Sequence, residues 1–180
     1  IYTTPASYIR DITVTTDICG TDGMVNYSVV TEGRVDCRVS LLDAEGNVVA
    51  QGAGTKGALQ VPQAKLWEVR AAYLYQLDIY AGEDHYTLPV GIRTIKTTKT
   101  QLLLNGKPVY LKGFGKHEDS EIKGKGLDEA VNARDFELLK WMGANSFRTA
   151  HYPYSEEVMQ MADRQGFLVI DADSVAHKIM

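Results

Sequence analysis

The sequence contains few of the residues that support cross-linking or metal coordination. Its two cysteines, Cys19 and Cys37, form no CxxC pair, and neither has a histidine at the spacing of a zinc ligand. The sequence therefore predicts no metal site and no cofactor held by thiolates. Two isolated cysteines favour reduced thiols over a disulfide, which predicts a cytoplasmic location.

Long apolar runs and tracts of like charge are also missing. No segment approaches the about eighteen apolar residues of a transmembrane helix, and the opening residues, IYTTPASY, lack the basic and apolar regions of a signal peptide. We therefore expect no membrane association, and the opening is typical of the interior of a longer protein. The net charge of -4 and the pI near 5.6 do not fit a nucleic-acid partner, which would require a basic surface.

The overall composition is that of a folded globular chain. Hydrophobic residues make up 44% and charged residues 23% of the 180 positions, which does not indicate disorder. A chain of this length buries about 70% of its unfolded surface. It has room for one large domain or two small ones.

Residues 8–93 alternate between apolar and polar side chains and are interrupted by turn residues. In one run Val35, Cys37, Val39 and Leu41 alternate with polar residues, which predicts a strand with one buried face. Similar runs occur at 12–16, 24–30, 48–51, 75–79 and 86–90, and DAEGN at 43–47 predicts a hairpin loop. About seven short antiparallel strands predict an immunoglobulin-like β-sandwich over residues 1–94. A small barrel is the alternative.

Residues 95–111 predict a bridging hairpin. Asn105 and Gly106 lie between apolar residues 102–104 and 109–111, and Asn-Gly between two apolar runs is a strong signal for a two-residue turn.

The period changes to that of helices after residue 111. Asp128 is placed to cap a helix that ends at Gly143, with Val131, Leu138 and Met142 as its apolar positions. A strand follows at 144–149. Ser155 is then placed to cap a second helix, which ends at Gly166 and leads into an apolar strand at 167–170. Trp141, Met142, Met159 and Met161 are expected to pack against the core.

Strand, helix, strand, helix, strand predicts right-handed βαβ units with parallel strands. Such units could begin a doubly wound sheet or the first three units of an incomplete (β/α)8 barrel. Gly113 and Gly115 do not form the glycine-rich turn of a dinucleotide-binding fold. Polar residues at the strand ends favour the barrel, whose active sites form at the carboxyl ends of its strands. These residues are His117, Arg148, His151 and Asp171.

Part of the second half resembles a known family. The positions that carry the resemblance are Asn145, Phe147, Arg148, Thr149, Ala150, His151, Tyr152 and Pro153, followed by Val158, Met159, Asp163 and Gly166. This pattern is similar to the signature of family-two glycoside hydrolases. GFGKHEDSEIKGKGLDEA at 113–130 and YTTP at 2–5 resemble the β-glucuronidase branch of that family, so the resemblance covers nearly the whole chain.

The resemblance implies an immunoglobulin-like domain followed, over residues 112–180, by the N-terminal part of a TIM-barrel catalytic domain. It implies that His117 and His151 lie in the substrate pocket and that Arg148 orients the nucleophilic carboxylate. Asp171 either lines the pocket or has a structural role at its strand end. The implied reaction is hydrolysis of β-glucuronides with retention, without metal or organic cofactor, which depends on hydrogen bonds that strengthen in the transition state.

The resemblance also implies that this chain contains neither catalytic glutamate, because the family carries them on later barrel strands. Glu118 and Asp119 are adjacent on an extended loop and point apart, so salt bridges or capping explain them better than catalysis. Ala172 follows Asp171 where the family usually has glutamate, and residues 173–180 depart from the pattern. We expect an isolated chain without activity.

A second hypothesis is a non-catalytic β-sandwich module for assembly or carbohydrate binding. No exposed aromatic platform is evident in the β-rich half, which argues against carbohydrate binding. Unpaired strand edges and uncovered apolar faces in a partial barrel predict that the chain forms a homo-oligomer.

Overall fold

The computed structural model describes residues 3–171, which divide into two compact units. The first unit contains residues up to Trp67 together with Tyr73–Lys107, and the second contains Glu68–Ala72 together with Pro108 onward. His177, expected to lie in a terminal tail, falls outside the described residues.

The first unit contains the predicted β-sandwich. Its seven strands are β1 (Tyr8–Cys19), β2 (Asp22–Glu32), β3 (Cys37–Leu42), β4 (Val48–Ala53), β5 (Lys56–Val61), β6 (Tyr75–Ala81) and β7 (Asp84–Val90). They form a three-stranded sheet in the order β1-β2-β5 and a four-stranded sheet in the order β4-β3-β6-β7. Every pairing is antiparallel, so the sandwich prediction is confirmed.

The sandwich core follows the alternation of the sequence. Val39, Leu41, Leu77 and Ile79 are buried in the same apolar cluster, as their period of two predicted. Trp67 is also fully buried. The inner faces of the two sheets therefore supply the apolar surface that stabilises this unit.

Strand β5 was missed at the sequence level because Gly54 and Gly57 resemble turn residues. Of these two glycines, Gly54 has a positive φ, of 88°, and Gly57 does not. Gly57 lies within the strand, where an added Cβ would come within 2.5 Å of the Tyr27 hydroxyl oxygen. The glycine is needed there for close approach of an aromatic side chain, which the sequence alone does not reveal.

The outer face of the four-stranded sheet carries an aromatic pair. Tyr80 is opposite His85 in the β6–β7 register, and their rings stack with centroids 4.1 Å apart and planes 9° apart. Tyr80 is 40% exposed. The expectation that the β-rich half has no exposed aromatic platform is therefore wrong.

A short sheet follows the sandwich strands. It contains β8 (Ile95–Thr97), β9 (Leu102–Leu104) and β10 (Lys107–Val109) in the order β10-β9-β8. Asn105 and Gly106 both have positive φ, of 52° and 75°, as a type I′ turn requires. The predicted hairpin is confirmed.

The second unit contains the predicted parallel strands and helices. Its elements are β11 (Gly115–Lys116), β12 (Asp119–Ser120), β13 (Gly124–Lys125), α1 (Glu129–Trp141), β14 (Ser146–Thr149), α2 (Glu156–Gln165) and β15 (Leu168–Ile170). Strands β11, β14 and β15 form a parallel sheet in that order. Within residues 3–171 this sheet does not close into a barrel. The small hairpin of β12 and β13 was not predicted.

Helix α1 begins and ends where predicted but packs through a different face. The Asp128 carboxylate accepts a hydrogen bond from the Val131 amide, and Gly143 has a φ of 72° just after the helix. The buried side chains, however, include Phe136 and Leu139, whereas Leu138 is 42% exposed. The prediction that Leu138 faces the core is wrong, because the neighbouring strands select the stripe that contains Phe136.

The aromatic contacts of Phe136 explain this choice of face. Its ring lies edge-to-face against Phe147, with centroids 5.6 Å apart, and against Phe167, with centroids 5.4 Å apart. Such pairs contribute about 1 kcal/mol each beyond the buried area. Trp141 and Met142, which were expected to pack, are 83% and 53% exposed.

Helix α2 packs as predicted but is not capped as predicted. Val158 and Ala162 are buried, Met159 and Met161 pack against the same cluster, and the helix ends at Gly166 with a φ of 73°. The Ser155 side chain makes no capping hydrogen bond. Its hydroxyl instead donates to a carboxylate oxygen of Glu118 at 3.3 Å.

The segment Glu68–Ala72 reaches the ends of both helices through Arg70. The Arg70 guanidinium donates hydrogen bonds to the carbonyl oxygens of Ala144 at 3.1 Å and Lys140 at 3.4 Å, and it lies 6.0 Å from the ring centroid of Phe167. It thereby provides donors to carbonyl groups at and just after the end of α1, where a helix leaves its last carbonyls unpaired.

Candidate functional site

The carboxyl ends of three adjacent parallel strands bring the predicted site residues to one edge of the sheet. Arg148 pairs in register with Gly115 of β11 and with Ile170 of β15. His117, His151 and Asp171 each lie one or two residues beyond the ends of these strands. Parallel sheets of α/β enzymes place their functional groups at this edge.

His117 and His151 are neighbours. Their ring centroids are 6.3 Å apart and their planes are inclined by 62°. His151 has a φ of 73°, and such a left-handed backbone is costly for a side chain of this kind. This turn follows β14, and both imidazoles are exposed, where they can donate or accept hydrogen bonds.

Arg148 projects from the middle of this edge. Its backbone amide donates to the Phe114 carbonyl oxygen at 3.1 Å, which fixes β14 against the segment entering β11. The half-buried guanidinium has no hydrogen-bond or ion-pair partner among residues 3–171. It is therefore available to a carboxylate, which a guanidinium can bind through two parallel hydrogen bonds.

Asp171 has a local structural contact. Its carboxylate accepts a hydrogen bond of 2.8 Å from the Thr149 hydroxyl, which joins the ends of β14 and β15. This contact matches the structural alternative for Asp171, while its half-buried position at the edge keeps it near the site.

The contacts of the Glu118 carboxylate are those of a structural residue rather than a catalytic one. The side chain is buried and accepts a hydrogen bond from the hydroxyl of Ser155, the residue that precedes α2. The Glu118 backbone amide donates to the Tyr152 hydroxyl at 2.8 Å. Asp119 is exposed in the β12–β13 hairpin. The two adjacent carboxylates thus occupy different environments, as expected for neighbours that point apart, but neither forms the expected salt bridge within residues 3–171.

A buried lysine beneath the site was missed by sequence reasoning. The Lys116 side chain is 4% exposed, and its ammonium group lies 3.0 Å from a carboxylate oxygen of Asp135. It also donates to the Asn132 side-chain oxygen at 2.8 Å and to the His117 carbonyl oxygen at 3.1 Å. Asn132 and Asp135 are three residues apart and therefore share a face of α1. The available signal for this contact in the sequence was the pair of polar residues, Asn132 and Asp135, on the stripe of α1 that contains Phe136.

Tyr154 lies next to this lysine. Its hydroxyl donates to the Lys116 carbonyl oxygen and accepts from the Ala150 amide at 3.4 Å. Burial raises the pKa of the Tyr154 phenol well above its usual value, and nearby Tyr152 and Glu118 act in the same direction. The phenol therefore remains a hydrogen-bond donor.

Tyr152 and Lys125 connect the β12–β13 hairpin to the strand ends. The Lys125 ammonium lies 3.8 Å from the ring centroid of Tyr152, within the range of a cation–π interaction. The Tyr152 and Tyr154 rings are in turn 5.1 Å apart. The hairpin that follows His117 is thus held by aromatic contacts.

A cleft of about 980 Å³ lies beside β11 and α1. It is lined by His117 and by apolar residues that include Phe114, Leu138 and Met142, but not by Arg148, His151 or Asp171. We place the candidate site at the strand ends because the convergent polar groups lie there.

Two further observations concern the described residues as a whole. Between residues 3 and 171, no group of three or more His, Cys, Asp or Glu side chains is placed to hold a metal ion. Neither α1 nor α2 is long and apolar enough to cross a bilayer.

Comparison with known proteins shows the class to which the chain belongs. The protein-family model described as "Glycosyl hydrolases family 2" matches residues 7–93. The family model described as "Glycosyl hydrolases family 2, TIM barrel domain" matches residues 95–180. Together they match nearly the whole sequence, so the chain belongs to glycosyl hydrolase family 2.

Similar individual proteins are β-glucuronidases. The chain is 53% identical to β-glucuronidase of Sus scrofa, over 95% of this chain and 28% of that protein. It is 52% identical to β-glucuronidase of Paenibacillus borealis, over 94% of this chain and 30% of that protein. The structure of β-glucuronidase from Ruminococcus gnavus in complex with D-glucuronic acid superposes with a TM-score of 0.91 at 52% identity, covering 94% of this chain and 30% of that one. This chain spans about 30% of the length of the relatives it matches.

Proposed function

We propose that this chain is part of an enzyme that hydrolyses β-glucuronides, and that His117, Arg148 and His151 form one wall of its substrate site. The observation that carries the proposal is the convergence of these residues at one edge of the parallel sheet, with the two imidazole rings 6.3 Å apart. Identity of 50–53% to β-glucuronidases over most of the chain supports the choice of substrate.

The roles follow from the chemistry of glycoside hydrolysis with retention. Positive charge develops on the sugar ring beside a nucleophilic carboxylate, and hydrogen bonds to the sugar hydroxyls strengthen in the transition state. Arg148 can hold a carboxylate through two hydrogen bonds and keep it ionised. His117 and His151 can bond to hydroxyl groups. The reaction requires no metal or organic cofactor.

We also propose that the isolated chain does not turn over glucuronides. Retaining hydrolysis needs two carboxyl groups roughly 5 Å apart. The Glu118 carboxylate is hydrogen-bonded to the Ser155 hydroxyl, and the Asp171 carboxylate is hydrogen-bonded to the Thr149 hydroxyl, so neither is proposed as a catalytic group. Incubation with a chromogenic β-glucuronide should release no chromophore above background. Turnover that disappears in Glu118→Gln would overturn this statement.

The activity of the whole enzyme can be tested with a chimera. Residues 7–171 would replace the matching segment of the Paenibacillus borealis β-glucuronidase, and β-glucuronide hydrolysis would be measured. We expect an active chimera whose kcat/KM falls by about 100-fold in Arg148→Gln, a loss typical of removing a group that acts on transition-state charge. The control Arg34→Gln removes the same charge from an exposed loop and should have no effect.

Two outcomes of the chimera experiment would contradict the proposal. One is a folded chimera, melting near the temperature of its parent, that hydrolyses no glucuronide. The other is an active chimera in which Arg148→Gln behaves like Arg34→Gln.

We further propose that the chain self-associates through the second unit. Strands β11 and β15 are the edges of its three-stranded sheet, and Phe114, Ile122, Leu138 and Trp141 are exposed. Unpaired edges and exposed apolar groups favour association. Sedimentation should show concentration-dependent dimers or larger species, which Trp141→Ser together with Leu138→Gln should weaken. A wild-type chain that remains monomeric at all concentrations would exclude this proposal.

A cytoplasmic location remains a proposal that is supported by the cysteines. Cys19 and Cys37 are both free. Burial raises the pKa of the Cys37 thiol above its usual value, which disfavours the reactive thiolate. Alkylation of the denatured chain, isolated without reductant, should add two labels. A single intramolecular disulfide would argue against a reducing compartment.

A further inference from the structure

The outer face of the four-stranded sheet aligns four side chains from four different strands. Arg38 of β3 is in register with Ala53 of β4 and with Tyr80 of β6, and Tyr80 is in register with His85 of β7. Residues that are directly opposite across a sheet point to the same face. Arg38 and His85 therefore flank Tyr80 on opposite sides.

The Tyr80 ring is held in place on the side of His85. The two rings stack with centroids 4.1 Å apart and planes nearly parallel. The Thr87 hydroxyl lies 2.8 Å from an Asp78 carboxylate oxygen and 3.3 Å from the His85 Nε2 atom. These contacts orient the imidazole, which covers one face of the Tyr80 ring while Tyr80 as a whole remains 40% exposed.

A shallow depression lies on the Arg38 side of Tyr80. The side chains around it are Arg38, Ser40, Gln51, Ala53 and Tyr80. Ser40 and Ala53 are short and leave space next to the tyrosine ring. The Gln51 amide donates to the Ser40 hydroxyl at 3.4 Å, so a neutral hydrogen-bonding pair also lines the depression.

Among the described residues, Arg38 is the only charged side chain that lines this depression, and its guanidinium has neither an ion-pair nor a hydrogen-bond partner there. A guanidinium recognises carboxylates through two hydrogen bonds. An aromatic face packs against the apolar face of a ring, and an amide with a hydroxyl satisfies ring hydroxyl groups. This combination fits a sugar ring that carries a carboxylate.

We propose that this depression binds a uronic acid residue of an acidic carbohydrate, with the sugar ring against Tyr80 and its carboxylate on Arg38. The site is on the β-sandwich and uses none of the strand-end residues. Binding at this depression requires only the first unit and does not depend on the proposed hydrolysis.

Binding can be tested by titrating the 180-residue chain with D-glucuronate and following its backbone amides by NMR. We expect saturable shifts at Arg38, Ser40, Gln51 and Tyr80, with a dissociation constant on the order of 1 mM, as is usual for one sugar in an open site. D-glucose, which lacks the carboxylate, should bind roughly tenfold more weakly. Benzoate, which lacks the hydroxyl groups, should also bind more weakly.

Matched variants identify the groups responsible. Arg38→Gln and Tyr80→Ala should each weaken glucuronate binding by about five- to tenfold. Arg34→Gln removes an exposed arginine outside the depression, and Tyr86→Ala removes an exposed tyrosine from the other face of β7, so both should bind like the original chain. Arg38→Gln replaces an exposed side chain, and its amide spectrum will show that the sandwich is intact.

Three results would overturn the proposal. These are the absence of saturable shifts up to about 20 mM glucuronate, equal binding of benzoate and glucuronate, and unchanged binding in Arg38→Gln. Shifts confined to His117, Arg148 and His151 would support the strand-end site and count against this one. The same titration therefore separates the two proposals.

Discussion

The Arg70 backbone amide donates a hydrogen bond of 2.9 Å to the carbonyl oxygen of Gly166, the residue at which α2 ends. An added Cβ on Gly166 would lie 2.4 Å from the Arg70 nitrogen and 2.9 Å from its Cα. Gly166 thus provides both the left-handed backbone that ends the helix and the space in which the backbone of residues 68–72 approaches it.

This contact predicts that Gly166→Ala is more damaging than an ordinary change at the end of a helix. We expect a loss of about 3 kcal/mol in the free energy of unfolding, because left-handed strain is combined with displacement of a backbone segment. Gly143→Ala is the control, because Gly143 has a similar φ of 72° and no atom within 4 Å of an added Cβ. It should cost about 1 kcal/mol. Equal losses in urea denaturation, followed by helical circular dichroism, would contradict the role of Arg70.

The Lys116–Asp135 ion pair should show measurable coupling. Asp135→Ala leaves a buried ammonium without its carboxylate and should cost about 2 kcal/mol, less than for a fully buried pair because Asp135 is 31% exposed. In a double-mutant cycle with Lys116→Met, we expect a coupling of about 1 kcal/mol. The exposed pair of Lys140 and Glu137, at 2.7 Å, is the control and should give at most about 0.5 kcal/mol. Similar coupling in both pairs would show that burial has no effect.

Tyr154 should contribute to the loss of stability in alkali. Burial raises the pKa of its phenol, so the folded state retains the proton while the unfolded chain releases it above about pH 10. This contribution to stability is complete below about pH 10 and is lost as the pH rises further. Tyr154→Phe should cost about 1 kcal/mol at neutral pH and should make the alkaline decline shallower. A variant with the wild-type alkaline slope would contradict this prediction, and Tyr110→Phe, at an exposed position, controls for loss of a hydroxyl.

Asp128 should contribute to the loss of stability in acid. Its pKa is lowered chiefly because its carboxylate accepts the Val131 amide, with a further contribution from Lys123. The folded state therefore favours the ionised form, and this stabilisation is present above the ordinary carboxyl pKa and is lost as the pH falls through the lowered value. Asp128→Ala should lower the melting temperature more at pH 7 than at about pH 3. Asp128→Asn keeps a hydrogen-bond acceptor, so its melting temperature at pH 7 should fall less than that of Asp128→Ala. An equal fall in melting temperature for both variants would contradict the capping role.

The sequence predicts those parts of the fold that depend on local rules. Alternation in β3 predicts its buried face because successive side chains point to opposite sides. Asp128, Gly143 and Gly166 mark helix ends because the caps require their chemistry. The buried face of α1 was predicted wrongly because that helix has two apolar stripes. Contacts of Phe136 with residues distant in sequence decide between them.

The candidate site likewise contains some features that the sequence predicts and others that it does not. His117, His151 and Asp171 could be placed at one edge from sequence, because parallel strands end on the same side of a sheet. The pairing of Lys116 with Asp135 could not, because it depends on how α1 is rotated against β11. The hydrogen bond from Ser155 to Glu118 also replaces a local cap with a contact between residues far apart in the chain.

The inclusion of residues 68–72 in the second unit has a consequence for inheritance by recombination. The polypeptide passes between the two units three times, at 67–68, 72–73 and 107–108, rather than once. A genetic exchange at the last of these junctions would transfer α1 and α2 without Arg70, and the recipient would have to supply an equivalent donor. Coding segments on both sides of that junction are therefore expected to be inherited as one block.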